Sequence, residues 1–510
     1  MKPLAKLRNN NLIKRIKLPS FLTNKEILTR IGVTVLIVVI YRALASIPLP
    51  GVDMKVYNNY FGASTASEIN YLFTIFTGGR VDTPSLVGLG IAAYINASIV
   101  MQILPYAIPR LKELQKEGER GRQIINQITR YISFPLAIFY SVIYLYIIAQ
   151  RDLANAANDP AIAADPNHTP VYLIAHAIGS NLPSIEKILF MALVLAAGTM
   201  LLMWLSEIIT EKGLGNGSSV IITIGILSTL PVYISQDFSR INFNETINQL
   251  LQGNFSVLSN PLTGALMVVL IGAVIVIAGI IFINESYRRI EIQYARRVRG
   301  AEIGRGSFLP LKFTLTGVIP VIFTYAVLSI PQILIPLVQN SLTSESSVYQ
   351  FMESLKTSFL YAPTDNIVDG KDILYAVVYF LLTIIFALVY SFIVFNPQEV
   401  AVENLQKNGA FIPGVRPGKA TEDYLSRVLL RIGIVGGIFL GLIALIPMIA
   451  RDFVLSTSGT TLTILSGIGG TSVLIIVGVF LDTYRQYKSL QATRSYEKYI
   501  NSWNVIFEYN

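Results

Sequence analysis

The feature that most constrains this chain is a series of apolar runs, each about as long as a bilayer is thick. They fall near residues 28–47, 84–104, 130–149, 188–210, 218–235, 262–283, 316–338, 373–395, 428–450 and 461–481. At about 1.5 Å of helical rise per residue, roughly twenty apolar residues cross the hydrocarbon core. Of the 510 residues 53% are hydrophobic and only 14% charged, where a soluble domain carries about a quarter charged. The expected fold is an all-α polytopic membrane protein with about ten transmembrane helices.

The charges that remain alternate between linkers. The first thirty residues are basic, as are linkers 105–129, 284–315 and 396–427 and the tail from 483. Linkers 151–187 and 339–372 are poor in cations and richer in Asp and Glu. Lys and Arg accumulate on the cytosolic side, so both termini and the basic linkers are expected there. That alternation requires an even number of spans. The basic start resembles a signal peptide, but no small-residue cleavage site follows, so the first span is read as retained. The expected organisation is a basic segment 1–27, a first half 28–240, a second half 241–482 and a cytosolic tail 483–510.

The two halves echo one another. Residues Gly217 to Gly225 match Gly470 to Gly478 position for position in residue class, and Gly90 to Ile95 match Gly317 to Ile322 more weakly. These pairs set span five beside span ten and span two beside span seven. An offset of five, an odd number, gives the halves opposite orientations, as in inverted-repeat transport proteins. A pathway is then expected at the interface of the halves.

The span interiors hold few groups that do chemistry. There is no cysteine, and His168 and His176 both lie in a linker, so disulfides, cysteine metal sites and a nucleophile–histidine pair within the bilayer are not expected. Arg42, Glu207 and Glu285 sit near span ends and read as snorkelling or helix-end charges. The turn Gly213 to Gly217 has no lysine after it, so it is a tight turn, not a phosphate cradle. No cofactor, metal or enzymatic activity is expected.

Two kinds of segment stand out against this background. Residues 65–76 form about three helical turns, too short and too polar to span, closed by Gly78 and Gly79. The following run carries Gly88, Gly90, Asn96, Ser98 and Gln102. Such a pair borders a watery cavity, or is an external helix followed by an ordinary packed span; both readings stand. On the cytosolic side, residues 288–299 alternate apolar and polar ahead of Gly300, Gly304 and Gly306. They predict a protruding β-hairpin. Its arginines suit RNA phosphates, anionic lipid or an acidic protein, or serve only to set topology. Linker 396–427 ends in a stiff tip, with Arg416 between Pro413-Gly414 and Pro417-Gly418.

Residues 409–421, Gly-Ala-Phe-Ile-Pro-Gly-Val-Arg-Pro-Gly-Lys-Ala-Thr, resemble the signature cytosolic loop of the SecY family, the channel subunit of the general secretory translocon. Residues 117–122, 207–217, 309–312, 317–320 and 469–472 match in order, so the resemblance runs from the first span to the tenth. It implies an hourglass pore between the halves, closed by an apolar ring at Ile91, Ile95, Ile222, Ile322 and Ile475. Ser218 replaces a usually aliphatic ring position. The resemblance makes 65–76 a plug helix, with Glu68, Ile69, Tyr71, Leu72 and Ile75 beneath the ring. It also implies a lateral gate between spans two/three and seven/eight, with Asn96 and Thr314 at it. Thr314 stands where many relatives have asparagine.

The resemblance further implies that Arg288, Arg289, Arg296, Arg297, Arg299, Arg305 and Arg416 dock a cytosolic partner, the ribosome or the SecA motor ATPase. Ala301 and Glu302 occupy positions where many relatives carry arginine. The other implied partners are the small membrane subunits SecE and SecG, signal sequences, nascent polypeptides and anionic lipids. The implied location is a bacterial plasma membrane, and the implied activity is passage of unfolded polypeptide with sideways release of apolar segments. The competing class is an inverted-repeat secondary transporter of a small solute, disfavoured by the lack of coupling carboxylates in the spans.

Overall fold

The computed structural model describes residues 25–52, 85–157, 185–241, 261–294, 307–315, 317–339, 346–355, 370–407, 409–458, 462 and 470–508. Each expected span coincides with a helix. In order these are α1 (Lys25–Ala45), α2 (Ala92–Ala107), α4 (Glu119–Ala157), α5 (Ile185–Lys212), α6 (Gly217–Ile241), α7 (Pro261–Glu285), α8 (Ile319–Gln339), α10 (Gly370–Phe395), α12 (Lys419–Ser458) and α13 (Gly470–Glu508). Shorter helices α3 (Pro109–Lys116), α9 (Ser347–Leu355) and α11 (Pro397–Glu399) lie between them. Among the described residues, seven helices are long and apolar enough to cross a membrane by length and composition alone. The structure extends α4, α12 and α13 well past the apolar runs, and the tail from 483 continues α13 as helix. Once nucleated, a helix adds each polar residue for one more backbone hydrogen bond, so hydropathy understates its length.

Helix packing repeats between the halves. In the first half span one packs on spans four and five, span two on three and four, three on four, and four on five. In the second, span six packs on nine and ten, seven on eight and nine, eight on nine, and nine on ten. Adding five to each member of the first set gives the second. The halves meet most extensively where α6 lies against α13, spans five and ten, which the same operation exchanges.

The echo reaches the backbone. Gly90 (φ 55°) and Gly317 (φ 58°) both adopt the left-handed region ahead of their helices. The Gly90 amide donates to the Val87 carbonyl (2.8 Å) and the Gly317 amide to that of Thr314 (3.2 Å), the same turn in both halves. Only glycine takes this conformation without a Cβ penalty. Span two therefore begins as helix at Ala92, later than its apolar run, because residues 86–91 form turns first.

The basic linkers 284–315 and 396–427 fold together. Strand β1 (Tyr287–Tyr294) pairs antiparallel with β2 (Ser307–Lys312) in the register Tyr287↔Lys312 to Ile292↔Ser307. On its other edge β1 takes β3 (Ala410–Phe411), through Gln293↔Phe411 and Tyr294↔Ala410. The expected hairpin is thus one part of a three-stranded sheet contributed by two linkers. Its buried face holds Ile290, Ile292 and Leu311 against Leu405, Ile412 and Leu425, which welds the two linkers into one unit.

Close backbone approach sets other glycines. A Cβ on Gly217 would lie 1.7 Å from the Ser206 carbonyl oxygen, whereas one on Gly279 would meet nothing within 4 Å. Gly217→Ala is expected to destabilise the protein by about 1–3 kcal/mol, the usual cost of overpacking. Gly279→Ala should be neutral or slightly stabilising. Thermal unfolding of both variants in detergent, side by side, checks the contrast; equal melting would contradict the α5–α6 packing.

Candidate functional site

The turn–helix geometry at Gly90 and Gly317 places residues of spans two and seven toward α6 and α13. Ile91 (1% exposed), Ile222 (6%) and Ile475 (4%) are buried in a single apolar cluster. Ile95 and Ile322, both half-buried, pack against the same cluster. Spans two, five, seven and ten thus each contribute isoleucine to one patch at the meeting of the halves. The neighbours are also apolar, including Ile37, Val87, Ile221, Ile226 and Val318. A constriction lined this way offers ions no ligand and resists their entry by dewetting.

Ser218 lies one turn before Ile222, at the start of α6. Its hydroxyl donates to the Asn216 carboxamide oxygen (2.7 Å), which also accepts from the Ser218 amide (3.2 Å). The hydroxyl is therefore partnered at a helix N-terminus, where Asn is a favoured cap.

The two expected gate residues hold different partners. Asn96 donates from Nδ2 to the Tyr140 hydroxyl (2.9 Å), joining α2 to α4. Thr314 donates from Oγ1 to Asn284 Oδ1 (2.6 Å), joining the turn before α8 to the end of α7. Neither bond crosses between the halves. Two bonds that join α2 to α10 across the halves were missed in sequence reasoning: the Tyr390 hydroxyl donates to Gln102 Oε1 (2.8 Å), and the Tyr106 hydroxyl donates to the Ile393 carbonyl (2.9 Å). The available signal was the spacing of Ser98, Gln102 and Tyr106, which puts polar atoms four residues apart on one helix face.

The span-end charges also have partners. Arg130 holds both carboxylate oxygens of Glu207 along one guanidinium edge (Nε 2.8 Å, Nη2 2.7 Å), tying α4 to α5. Arg485 of α13 reaches Glu285 (2.8 Å), Asp482 (3.1 Å) and the Asn284 carbonyl (2.9 Å). Arg42 donates to the Ser228 hydroxyl (2.7 Å), joining α1 to α6. Arg42 lies in the last turn of α1 and Glu285 ends α7, as expected of helix-end charges, and the structure adds their pairing partners.

Of the expected docking residues, Arg288, Arg289 and Arg416 are described and exposed. Arg289 lies over the rings of Tyr287 (5.2 Å) and Phe308 (5.1 Å), which are nearly parallel at 7° and 6.4 Å apart. It also donates to the Tyr287 hydroxyl (2.9 Å). Gly414 (φ 80°) and Gly418 (φ 97°) turn the chain on either side of Arg416, whose carbonyl accepts from the Thr421 hydroxyl (2.8 Å). Arg296, Arg297, Arg299 and Arg305, and the plug residues Glu68, Ile69, Tyr71, Leu72 and Ile75, lie outside the described residues.

The fold defines a polytopic helical membrane protein with an apolar cluster where two inverted halves meet. The SecY family model matches residues 85–484. The protein translocase subunit SecY of Aquifex aeolicus is 36% identical over 93% of this chain and 97% of its own length. The chain belongs to the SecY family. Its fold is similar to a solved structure described as a protein conducting channel (TM-score 0.55, 20% identity, 90% of this chain and 91% of that one). It is also similar to Sec61 in a canine ribosome-channel complex from the endoplasmic reticulum (TM-score 0.53, 20% identity, 90% and 91%).

At the base of the three-stranded sheet, burial first and then the Arg485 guanidinium lower the pKa of Lys312 below its usual 10.5, against the raising pull of Asp482 and Glu285. Between its folded pKa and 10.5 the unfolded chain binds more protons, so stability rises with pH across that window. Glu285→Gln removes one raising carboxylate and should lower the pKa further. Lys312 is then expected to acylate faster at mildly alkaline pH, read by mass spectrometry of pulse-labelled protein. Unchanged labelling would contradict the geometry at this base.

Proposed function

We propose that this protein is a passive protein-conducting channel, through which unfolded secretory polypeptides cross a membrane and apolar segments leave sideways into lipid. The observation that carries this reading is the convergence of isoleucines from spans two, five, seven and ten into one apolar patch where the halves meet. With family membership beside it, Ile91, Ile95, Ile222, Ile322 and Ile475 are the ring that seals the pore. Branched aliphatic side chains fit this task because they yield to a passing side chain of any chemistry and bind none. The segment 65–76 is the plug that backs the seal.

The lateral gate is the seam between α2/α4 and α8/α10. At a helix centre Leu favours the membrane by about 0.3–0.6 kcal/mol, while Asp, Lys or Arg costs about 2.5–3.5 kcal/mol. One or two charges therefore decide whether a segment enters lipid or passes through. Both termini and the three-stranded sheet face the cytosol, and the membrane is the bacterial plasma membrane. The sheet, with Arg288, Arg289 and the loop carrying Arg416, docks the SecA motor ATPase or the ribosome; anionic lipid lies beside it. SecE and SecG complete the membrane complex. Energy comes from the cytosolic partner.

A photo-crosslinking residue at position 222 is expected to capture a stalled, signal-bearing secretory chain in reconstituted membranes. Capture should vanish when the signal is made polar. Arg416→Glu should weaken motor or ribosome binding at least tenfold, since it reverses a charge at an exposed tip. No capture at 222, together with unchanged partner binding, would overturn the channel reading.

A further inference from the structure

The hydrogen bonds between α2 and α10 have a feature that ordinary packing does not require. In a helix the Ile393 carbonyl would accept the amide of residue 397, but that residue is Pro397, which has no N–H. The Tyr106 hydroxyl, from the other half of the protein, takes that place at 2.9 Å. One turn earlier the Tyr390 hydroxyl donates to Gln102 Oε1 (2.8 Å), while Gln102 Nε2 donates to Ser98 Oγ (3.2 Å). Gln102 and Tyr106 are four residues apart on α2, and Tyr390 and Ile393 three apart on α10, so both links lie along one face of each helix. The pairings 102–390 and 106–393 run in the same direction, as they must if spans two and eight both end at the cytosolic side.

Tyr390 also faces inward. Its ring meets Phe323 edge-on (5.4 Å, 81°), and Phe323 meets Phe386 in the same way (6.1 Å, 85°). Phe323 follows Ile322 directly in α8. One side chain therefore touches both the far side of the seam and the neighbour of a residue in the isoleucine patch.

We infer that Tyr106 and Tyr390, with Gln102 and the proline-freed Ile393 carbonyl, form a two-rung polar clasp that holds the seam shut and sets how apolar a segment must be to open it. This rests on the lateral-gate reading above. Parting α2 from α10 strands a carbonyl that has no intrahelical donor, and separates a tyrosine from its amide at the edge of lipid. An entering segment must offset that loss by its own apolar transfer, so the clasp acts as a threshold. Because Tyr390 leans on Phe323, opening the seam also releases packing beside the ring. Tyr106 and Tyr390 are positioning residues in this scheme.

The test uses the full channel complex in membrane vesicles and two secretory substrates, one with an intact signal and one whose apolar core carries an inserted arginine. Tyr106→Phe and Tyr390→Phe keep the rings and remove the hydroxyls. The double variant should raise the ratio of defective- to intact-signal transport about tenfold, the scale set by losing two net hydrogen bonds, and each single variant less. An unchanged ratio would overturn the clasp. The chain has no cysteine, so Tyr106→Cys with Ile393→Cys can be bridged selectively by a short, reducible bifunctional thiol reagent. Bridging should stop transport of the intact substrate and reduction restore it; continued transport through a fully bridged seam would also overturn the proposal. A wild-type complex that passed neither substrate would instead count against the channel reading itself.

Discussion

A backbone carbonyl or side-chain dipole in or beside hydrocarbon has no water to turn to, and the rest of this structure depends on how each one is satisfied. The Ile393 carbonyl loses its helical donor to Pro397 and is taken up by a tyrosine from the opposite half. Asn96 finds Tyr140, Thr314 finds Asn284, and Arg42 finds Ser228. Each of these joins separate elements and fixes their rotation about their axes. Apolar packing supplies bulk attraction in the membrane but little specificity, because lipid tails compete on equal terms. The sparse polar bonds therefore specify which helix faces which.

Against that framework the centre of the molecule is conspicuous for what its side chains do not offer. The isoleucines of spans two, five, seven and ten meet among other aliphatic groups. A patch of this kind is a weak binder of everything polar, which suits a seal that must part for any sequence. The Ser218 hydroxyl, one turn before Ile222, is turned to the Asn216 cap. In the channel reading proposed above, selectivity would then lie elsewhere, in the energy of parting the seam and in a partner at the three-stranded sheet. That sheet is welded from two linkers and stands directly on α7, α8 and α12. Lys312, Arg485, Asn284 and Thr314 lie at its base, beside the turn that begins α8.

Much of the architecture was legible in the chain. Apolar runs located every span, each falling on a helix. The echo of Gly90 with Gly317 proved to be a repeated left-handed turn with the same backbone hydrogen bond. The echo of Ile222 with Ile475 proved to join the two helices that bring the halves together. Other features were not legible, for a common reason. A tyrosine or glutamine in an apolar run has no periodic signature that names its partner, so the links from Tyr106 and Tyr390 could not be paired from spacing. Two residues of β3 are too short a strand to register as alternation, so the joining of the linkers stayed hidden.

The sequence by itself determined where the crossing helices lie and the inverted relation of the halves. Hydrophobic transfer acts on each segment separately and needs no partner. Only the tertiary structure decided which polar groups meet, that the seam is hydrogen-bonded through Tyr106 and Tyr390, and that Arg130 and Arg485 hold the span-end carboxylates. Those are pairwise interactions between residues far apart in the chain, and their energies depend on ångström-scale separations that no single segment encodes.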